Sequence, residues 1–386
     1  MIDIDVLVIG SGMAGLMAAR KTSEANLSTM VIATGLGSTV LSSGTIDLLG
    51  YIDNKKVKKP METLDEFISR NPSHPYSIVG KKRILEAFKD FKEKYNSFIS
   101  YEGDLEKNET LLTPLGLFKP TFLAQTSIMR GTRKNLEDSK VLVVGFRNLL
   151  NHTPALITRS LKDIWGIDAD HIKLDRSETQ PIQLALLLES HTDEIIKSLK
   201  EYNLGSYDYL ALPPVLGIRR TTEIVSKFED NLGARIFETM SFPPSVPGLR
   251  LQQLLEQPCI QNGVEIRLGW RATKLKTTKK GCLTEIVEND SKHEISSKAV
   301  IIATGQIMGD EIGVTNEKDF QDSINPQNLQ YLRTDRELRF VSNGESSENI
   351  FVAGSALSEK EMTGLGTSLS TGYASALEVI NYLKGS

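Results

Sequence analysis

The chain has 386 residues, 40% hydrophobic and 24% charged, with a formal net charge of −4. That balance belongs to a globular chain long enough to bury a sizeable core. It does not recommend nucleic acid as a partner, and no run of about eighteen apolar residues marks a transmembrane helix. The first strand pattern begins so near Met1 that no signal peptide is expected, which predicts a cytoplasmic protein that meets a membrane only through a partner.

Val6-Leu7-Val8-Ile9 is a β-branched apolar run that leads into Gly10-Ser11-Gly12-Met13-Ala14-Gly15 and then Leu16-Met17-Ala18-Ala19-Arg20. Strand, GxGxxG turn and apolar helix in this order predict a nucleotide-binding βα unit. Gly10 permits the tight turn, Gly12 a close backbone approach to a phosphate, and Gly15 the packing of helix on strand. The helix N-terminus then offers backbone N–H groups to an anion. A second strand is expected over Thr29–Ala33. It ends in Thr34-Gly35 without the Asp or Glu that usually holds an adenosine ribose. Either Thr34 and backbone groups take that part, or the ligand has no adenosine.

Residues 53–60 read as a charged surface loop. The segment from 75 to 242 has a different texture. It has a possible hairpin at 110–125, a buried strand at Lys140–Phe146, a helix at 153–165 opening on Thr153-Pro154, and strands at Tyr207–Leu212 and Ala234–Thr239. This predicts a second α/β domain over 75–242, inserted into a Rossmann-like domain made of 1–74 and 243–386. A turn and amphipathic helix follow at Pro244–Glu256, then short strands at 264–268, 272–278 and 283–288. Lys298–Ala303 is an apolar strand running into Thr304-Gly305. Asn349–Ala353 is another, running into Gly354-Ser355, and Thr363-Gly364-Leu365-Gly366-Thr367 leads to a closing helix over Ser370–Leu383.

Cys259 and Cys282 are the only cysteines and form no CxxC pair, so this chain alone cannot ligate an iron–sulfur cluster, and each is expected to be a small buried residue. The five histidines show no metal-ligand spacing, and no metal is expected.

An N-terminal GxGxxG unit, an apolar strand ending in Ala-Thr-Gly and a late strand running into glycines and a helix together resemble the two-dinucleotide-binding-domain flavoproteins. The segments Leu41-Ser42-Ser43-Gly44-Thr45-Ile46-Asp47-Leu48-Leu49-Gly50, His74-Pro75-Tyr76-Ser77, Thr113-Pro114-Leu115-Gly116 and Pro244-Ser245-Val246-Pro247-Gly248-Leu249-Arg250-Leu251 narrow this. In this order, and nearly end to end, the chain resembles the B subunits of anaerobic glycerol-3-phosphate dehydrogenases. The resemblance implies a flavoprotein taking part in oxidation of sn-glycerol 3-phosphate to dihydroxyacetone phosphate. It implies a catalytic flavoprotein A subunit and an iron–sulfur C subunit as partners, with electrons passed to quinone. It implies FMN, whereas the dinucleotide motif implies FAD. The glycine run before the last helix is thinner than the family pattern.

The expected cofactor contacts are Gly10, Ser11, Gly12, Ala14, Gly15, Thr34, Ser42, Ser43, Gly44, Thr304, Gly305, Gly354, Ser355, Gly366 and Thr367. Ser42 and Ser43 have a second reading, as local caps. His74 is a candidate general base or a surface histidine of a turn, and Arg250, with Arg219 and Arg220, a candidate anion clamp or a set of arginines serving ion pairs and solvent. Two other functions fit the same motifs: a fumarate-reductase-like flavin oxidoreductase for another alcohol or acid, and a non-catalytic docking subunit that keeps the fold.

Overall fold

The computed structural model describes residues 2–278, 280–289, 291–305, 332–342, 344–357 and 364–385, with the backbone of 313–315. Ser358–Glu361 and Thr363, where the late glycine run departs from the family pattern, lie outside the described residues.

The chain divides into two compact units: residues 1–38, 64–91 and 255–386 form the first, and 39–63 with 92–254 the second. The mixed α/β architecture expected from the sequence is present in both. The boundaries fall at other residues than the sequence pattern suggests, for identifiable reasons. Residues 39–63 join the second unit because Ile46 bridges Leu123 and the Asn108 amide donates to the Leu49 and Val57 carbonyls. Residues 75–91 join the first. There Asp90 pairs with the fully buried Arg20, and Arg83 pairs with Glu378 at 2.5 Å.

The first unit is built on a nine-stranded sheet. Strand β1 (Ile2–Ile9) lies between β2 (Thr29–Ala33) and the Ser291–Ile302 strand, and is parallel to both. Glu265–Leu268 adds outside β2, and Glu345–Val352 pairs with the C-terminal half of Ser291–Ile302, both again parallel. Val6–Ile9, Met30–Ala33 and Ala299–Ile302 are all buried, as continuous apolar runs in a two-face-covered parallel sheet must be. The N-terminal half of Ser291–Ile302 instead pairs antiparallel with Gly281–Glu288, which pairs with Arg271–Thr278. The alternating patterns read from the sequence at 272–278 and 283–288 are this half-exposed meander. The helices α1 (Met13–Glu24) and Leu365–Gly385 cover one face. A Cβ on Gly372 would stand 2.3 Å from the Ala14 carbonyl oxygen, so the two helices cross with backbones nearly touching.

The second unit carries a four-stranded parallel sheet. Val141–Phe146 has Ala169–Leu174 on one side and Tyr209–Leu212 on the other, with Arg235–Glu238 outside that. Pro154–Trp165, Pro181–Ser190 and Thr221–Leu232 are among the helices between successive strands. The hairpin expected at 110–125 pairs Glu109–Leu112 with Phe118–Thr121. The Val246–Gln261 helix contains Pro258 in its interior.

Candidate functional site

In the first unit the C-terminal ends of the parallel strands meet at the β1 turn. Because β2 and the Ser291–Ile302 strand lie on opposite sides of β1, this is a topological switch point, the position where open α/β sheets hold ligands. Gly10 has φ +121° and its N–H donates to the Ile32 carbonyl at 2.8 Å. A Cβ there would lie 2.2 Å from the Ala303 carbonyl oxygen, so only glycine fits between the strand ends. A Cβ on Gly15 would lie 1.9 Å from the Gly10 carbonyl oxygen, which is the close helix–strand contact expected of the third glycine. Gly12 is the N-cap of α1, in extended backbone, with no side chain capping the helix and no acid in its first turn. The dipole of α1 is thus left for an outside anion.

Around this turn the structure gathers much of what the sequence predicts. Thr304, which follows the strand that crosses Gly10, has a buried hydroxyl without a hydrogen-bond partner. Gly305 follows at φ +80°. Gly354 approaches Ala14: a Cβ on Gly354 would be 3.0 Å from the Ala14 Cβ, and the Gly354 N–H donates to the Thr371 hydroxyl at 2.8 Å. Gly366 and the buried Thr367 lie in the first turn of the Leu365–Gly385 helix, where Gly366 accepts from Ser370 and Thr367 from Thr371 through their carbonyls. Ser355 stands half-buried in the short 3-10 turn Gly354–Leu357. Thr34 is exposed just past β2.

One contact is not foreseen by the sequence pattern. The segment after Thr34 returns over the glycine turn: the buried Ser11 hydroxyl donates to the Gly35 carbonyl at 2.8 Å. A Cβ on Gly37 would be 2.3 Å from the Gly12 Cα. The close approach at Gly12 is therefore made, in this structure, by the chain's own residue 37. The signal is the second glycine pair, Gly35-Leu36-Gly37, directly after a strand.

Ser42, Ser43 and Gly44 lie in the second unit. The Ser42 hydroxyl donates to the Thr39 carbonyl at 2.7 Å and accepts from the Gly44 N–H, while the Ser43 hydroxyl pairs with that of Thr45 at 2.8 Å. These are the local bonds of a tight turn. Gly44 abuts Pro247, and Gly248 packs among the carbonyls of Thr39, Val40 and Ser42. Two of the four segments that carry the family resemblance, Ser-Ser-Gly-Thr and Pro-Ser-Val-Pro-Gly, thus pack directly on each other.

Two sequence candidates require correction. Arg250 is no anion clamp. It is fully buried and its guanidinium grips the equally buried Glu238 at 2.6 and 2.9 Å, donating as well to the Gly217 carbonyl and the Gln125 side chain. Glu238 accepts in addition from Ser127 and from the Leu216 N–H, which closes the network. Arg219 bonds Gln253 and Arg220 bonds Glu223, both on the surface. His74 has a structural role. It caps the Pro75–Val79 helix by accepting the Tyr76 N–H on Nδ1 at 3.1 Å, between the Phe67 and Tyr76 rings. Burial pushes its pKa down to about 4, so it is neutral at pH 7.

Comparison with known proteins decides the class. A family model described as "FAD binding domain" matches residues 5–328. The chain belongs to this FAD-binding family. It is accordingly a flavoprotein of the oxidoreductase type, and the strand-end turn lies within the matched residues. Among curated proteins, the anaerobic glycerol-3-phosphate dehydrogenase B subunit of Pectobacterium atrosepticum is 28% identical over 321 residues, covering 78% of this chain and 74% of its own length. The protein of the same name from Aliivibrio fischeri is 25% identical over 451 aligned positions, covering 99% of this chain and 96% of its own length. Among solved structures, the 3-ketosteroid delta1-dehydrogenase of Sterolibacterium denitrificans is similar over 80% of this chain and 48% of its own, at 12% identity and a TM-score of 0.37, too distant to carry an argument.

The residues fit a flavin nucleotide. The uncapped N-terminus of α1 suits its phosphate, and the orphaned Thr304 hydroxyl supplies a donor and acceptor beside it. Among the described residues no cluster of His, Cys, Asp and Glu suits a metal.

Proposed function

We propose that the chain is the flavoprotein B subunit of an anaerobic glycerol-3-phosphate dehydrogenase. In that role it takes part in the two-electron oxidation of sn-glycerol 3-phosphate to dihydroxyacetone phosphate. The observation that carries this reading is the near end-to-end match to proteins named as that subunit, on a chain with the flavin-family turn intact. A bound flavin would supply the two-electron acceptor; Gly10, Gly12 and Gly15 would position its phosphate, and the Thr304 hydroxyl would bond it. Ser11, Ala14, Gly305, Gly354, Ser355, Gly366 and Thr367 shape the surrounding pocket. FAD is the form proposed, with its ribose held by Thr34 and backbone groups in place of an acid.

The electrons then pass to quinone through an iron–sulfur partner subunit, beside a second flavoprotein subunit. This chain has only two, separated cysteines, so a cluster must come from elsewhere. Attachment at the inner membrane face falls to a partner in this reading; among the described residues no helix is long and apolar enough to cross a membrane.

A second reading, the docking subunit that retains the fold, is favoured by one observation: Gly37 already presses on Gly12. A single preparation separates the two. The purified chain is scanned for flavin absorbance, and the flavin released on denaturation is identified by chromatography and mass. It is then combined with the two partner subunits and assayed for glycerol 3-phosphate-dependent quinone reduction. Bound FAD with activity lost on omitting this chain supports the proposal. No flavin after reconstitution, with complex assembly intact, leaves the docking subunit. FMN in place of FAD overturns the assignment of the nucleotide.

A further inference from the structure

The second unit has a topological switch point of its own. Val141–Phe146 connects to Ala169–Leu174 on one side, while Tyr209–Leu212 adds on the other. A crevice of about 220 Å³, counted out to its open mouth, lies outside the C-terminal ends of these strands. It is lined from every loop that leaves them: Leu149, Asn151 and His152 after the first, Pro181 after the second, Val215 after the third and Met240–Phe242 after the fourth. This is where a doubly wound sheet holds a ligand.

His152 makes the crevice more than a gap in packing. It is 4% exposed, and neither ring nitrogen has a hydrogen-bond partner. A buried imidazole with neither nitrogen bonded within the protein keeps both free for an occupant of the crevice. The rest of the lining is proline, leucine, valine, methionine and phenylalanine, with the Asn151 amide and the Ser241 hydroxyl. No charged side chain is among them. The helices that begin here, Pro154–Trp165 and Pro181–Ser190, each start with proline, which removes the first N–H an anion would use. An anion would be stripped of water against apolar walls with no cation to answer it.

We propose that this crevice binds a small uncharged molecule through one carbonyl or hydroxyl oxygen hydrogen-bonded to His152, with the ligand's apolar body at the mouth. The inner space is narrow, with room for a single polar group. One oxygen therefore enters, and the carbon body rests outside against Phe242, which is 42% exposed, and the prolines. Burial holds the imidazole neutral, with its pKa pushed down to about 3, leaving one nitrogen to donate and the other to accept. The site is independent of the flavin and of the family reading.

The test is a titration of the full-length, flavin-loaded protein, followed through the ¹⁵N shifts of the histidine ring nitrogens. The probes are cyclohexanone, cyclohexanol, cyclohexanecarboxylate and inorganic phosphate. Saturable shifts at His152 with the ketone or the alcohol, weakened several-fold in Phe242→Ala, are expected. His152→Phe should abolish binding, read by ligand-observed NMR. Truncating the half-exposed Phe242 trims the mouth without opening the core. Saturation by phosphate or carboxylate instead would overturn the ligand class. No saturable response to any probe would mean that water alone fills the crevice, and would end the proposal.

Discussion

Arg250 and His74 illustrate how a residue type suggests chemistry that its surroundings then withdraw. An arginine beside Val-Pro-Gly-Leu looks like an anion clamp, yet every nitrogen of its guanidinium is spent inside the second unit. Breaking one side of such a pair leaves a buried charge unanswered, at a cost of about 3–5 kcal/mol. Arg250→Met and Glu238→Gln should each lower stability by about that much in urea unfolding, while sn-glycerol 3-phosphate affinity of whatever complex forms stays unchanged. A large rise in KM with stability intact would restore Arg250 to the site. The two cysteines behave as the sequence suggests. Both are buried, and burial pushes their thiols up to about 12. The native protein at pH 8 should therefore react with a thiol reagent only as fast as it opens, and both thiols should titrate at once in denaturant.

At the scale of elements, the strand–turn–helix units were legible because their periodicity and glycines are local. The Lys140–Phe146 run and the helix opening on Thr153-Pro154 form within a residue of where the pattern puts them, and β1 ends at Ile9 as expected but starts four residues earlier, at Ile2. What was not legible is long-range. The glycines of Gly35-Leu36-Gly37 mark a turn but do not name Gly12 as what it will lie on, and nothing in Ser42-Ser43-Gly44 tells that it will pack on Pro247 and Gly248. The missing acid after β2 was visible at once, whereas the orphaned Thr304 hydroxyl needed three dimensions. These contacts give two predictions. Gly37→Val forces the returning segment off the turn, because a Cβ there meets backbone and not a flexible side chain; if that segment helps shape the flavin site, flavin bound per chain should fall several-fold, read by absorbance after gel filtration, whereas a rise would show that Gly37 occludes the turn. Gly372→Leu sits where α1 and the closing helix cross and overpacks them, at a cost of about 1–3 kcal/mol or more. Its signature should be a lowered melting temperature that excess flavin partly restores, since a ligand that binds only the native state stabilises it by mass action.

Across the whole molecule, buried neutral histidines and bonded carboxylates act on acid stability in the same direction. His74 in the first unit and His152 in the second have pKa values pushed by burial to about 4 and about 3, against an ordinary value of 6.5. Below pH 6.5 the unfolded chain therefore binds protons that the folded one refuses, and stability falls as pH falls until the folded pKa values are reached. Asp5, Glu189 and Asp170 are held low by hydrogen bonds from Ser28 and Lys298, from the N–H groups of Ile218 to Arg220, and from Tyr207 and Lys162, and these partners outweigh any desolvation. Their stabilisation is full near neutrality and is lost lower, as pH drops through the carboxylate range. The acid limb should thus have two parts, an upper one from histidine and a lower one from carboxylates. His74→Asn keeps a side-chain cap on the Pro75–Val79 helix, since asparagine caps well, and removes one titration. His152→Phe removes the other. In urea unfolding measured from pH 7 to pH 4, the double variant should lose stability over the upper part of that range far less steeply than the parent. An unchanged slope there would mean that both rings find water or a bound molecule to accept their protons in the folded state.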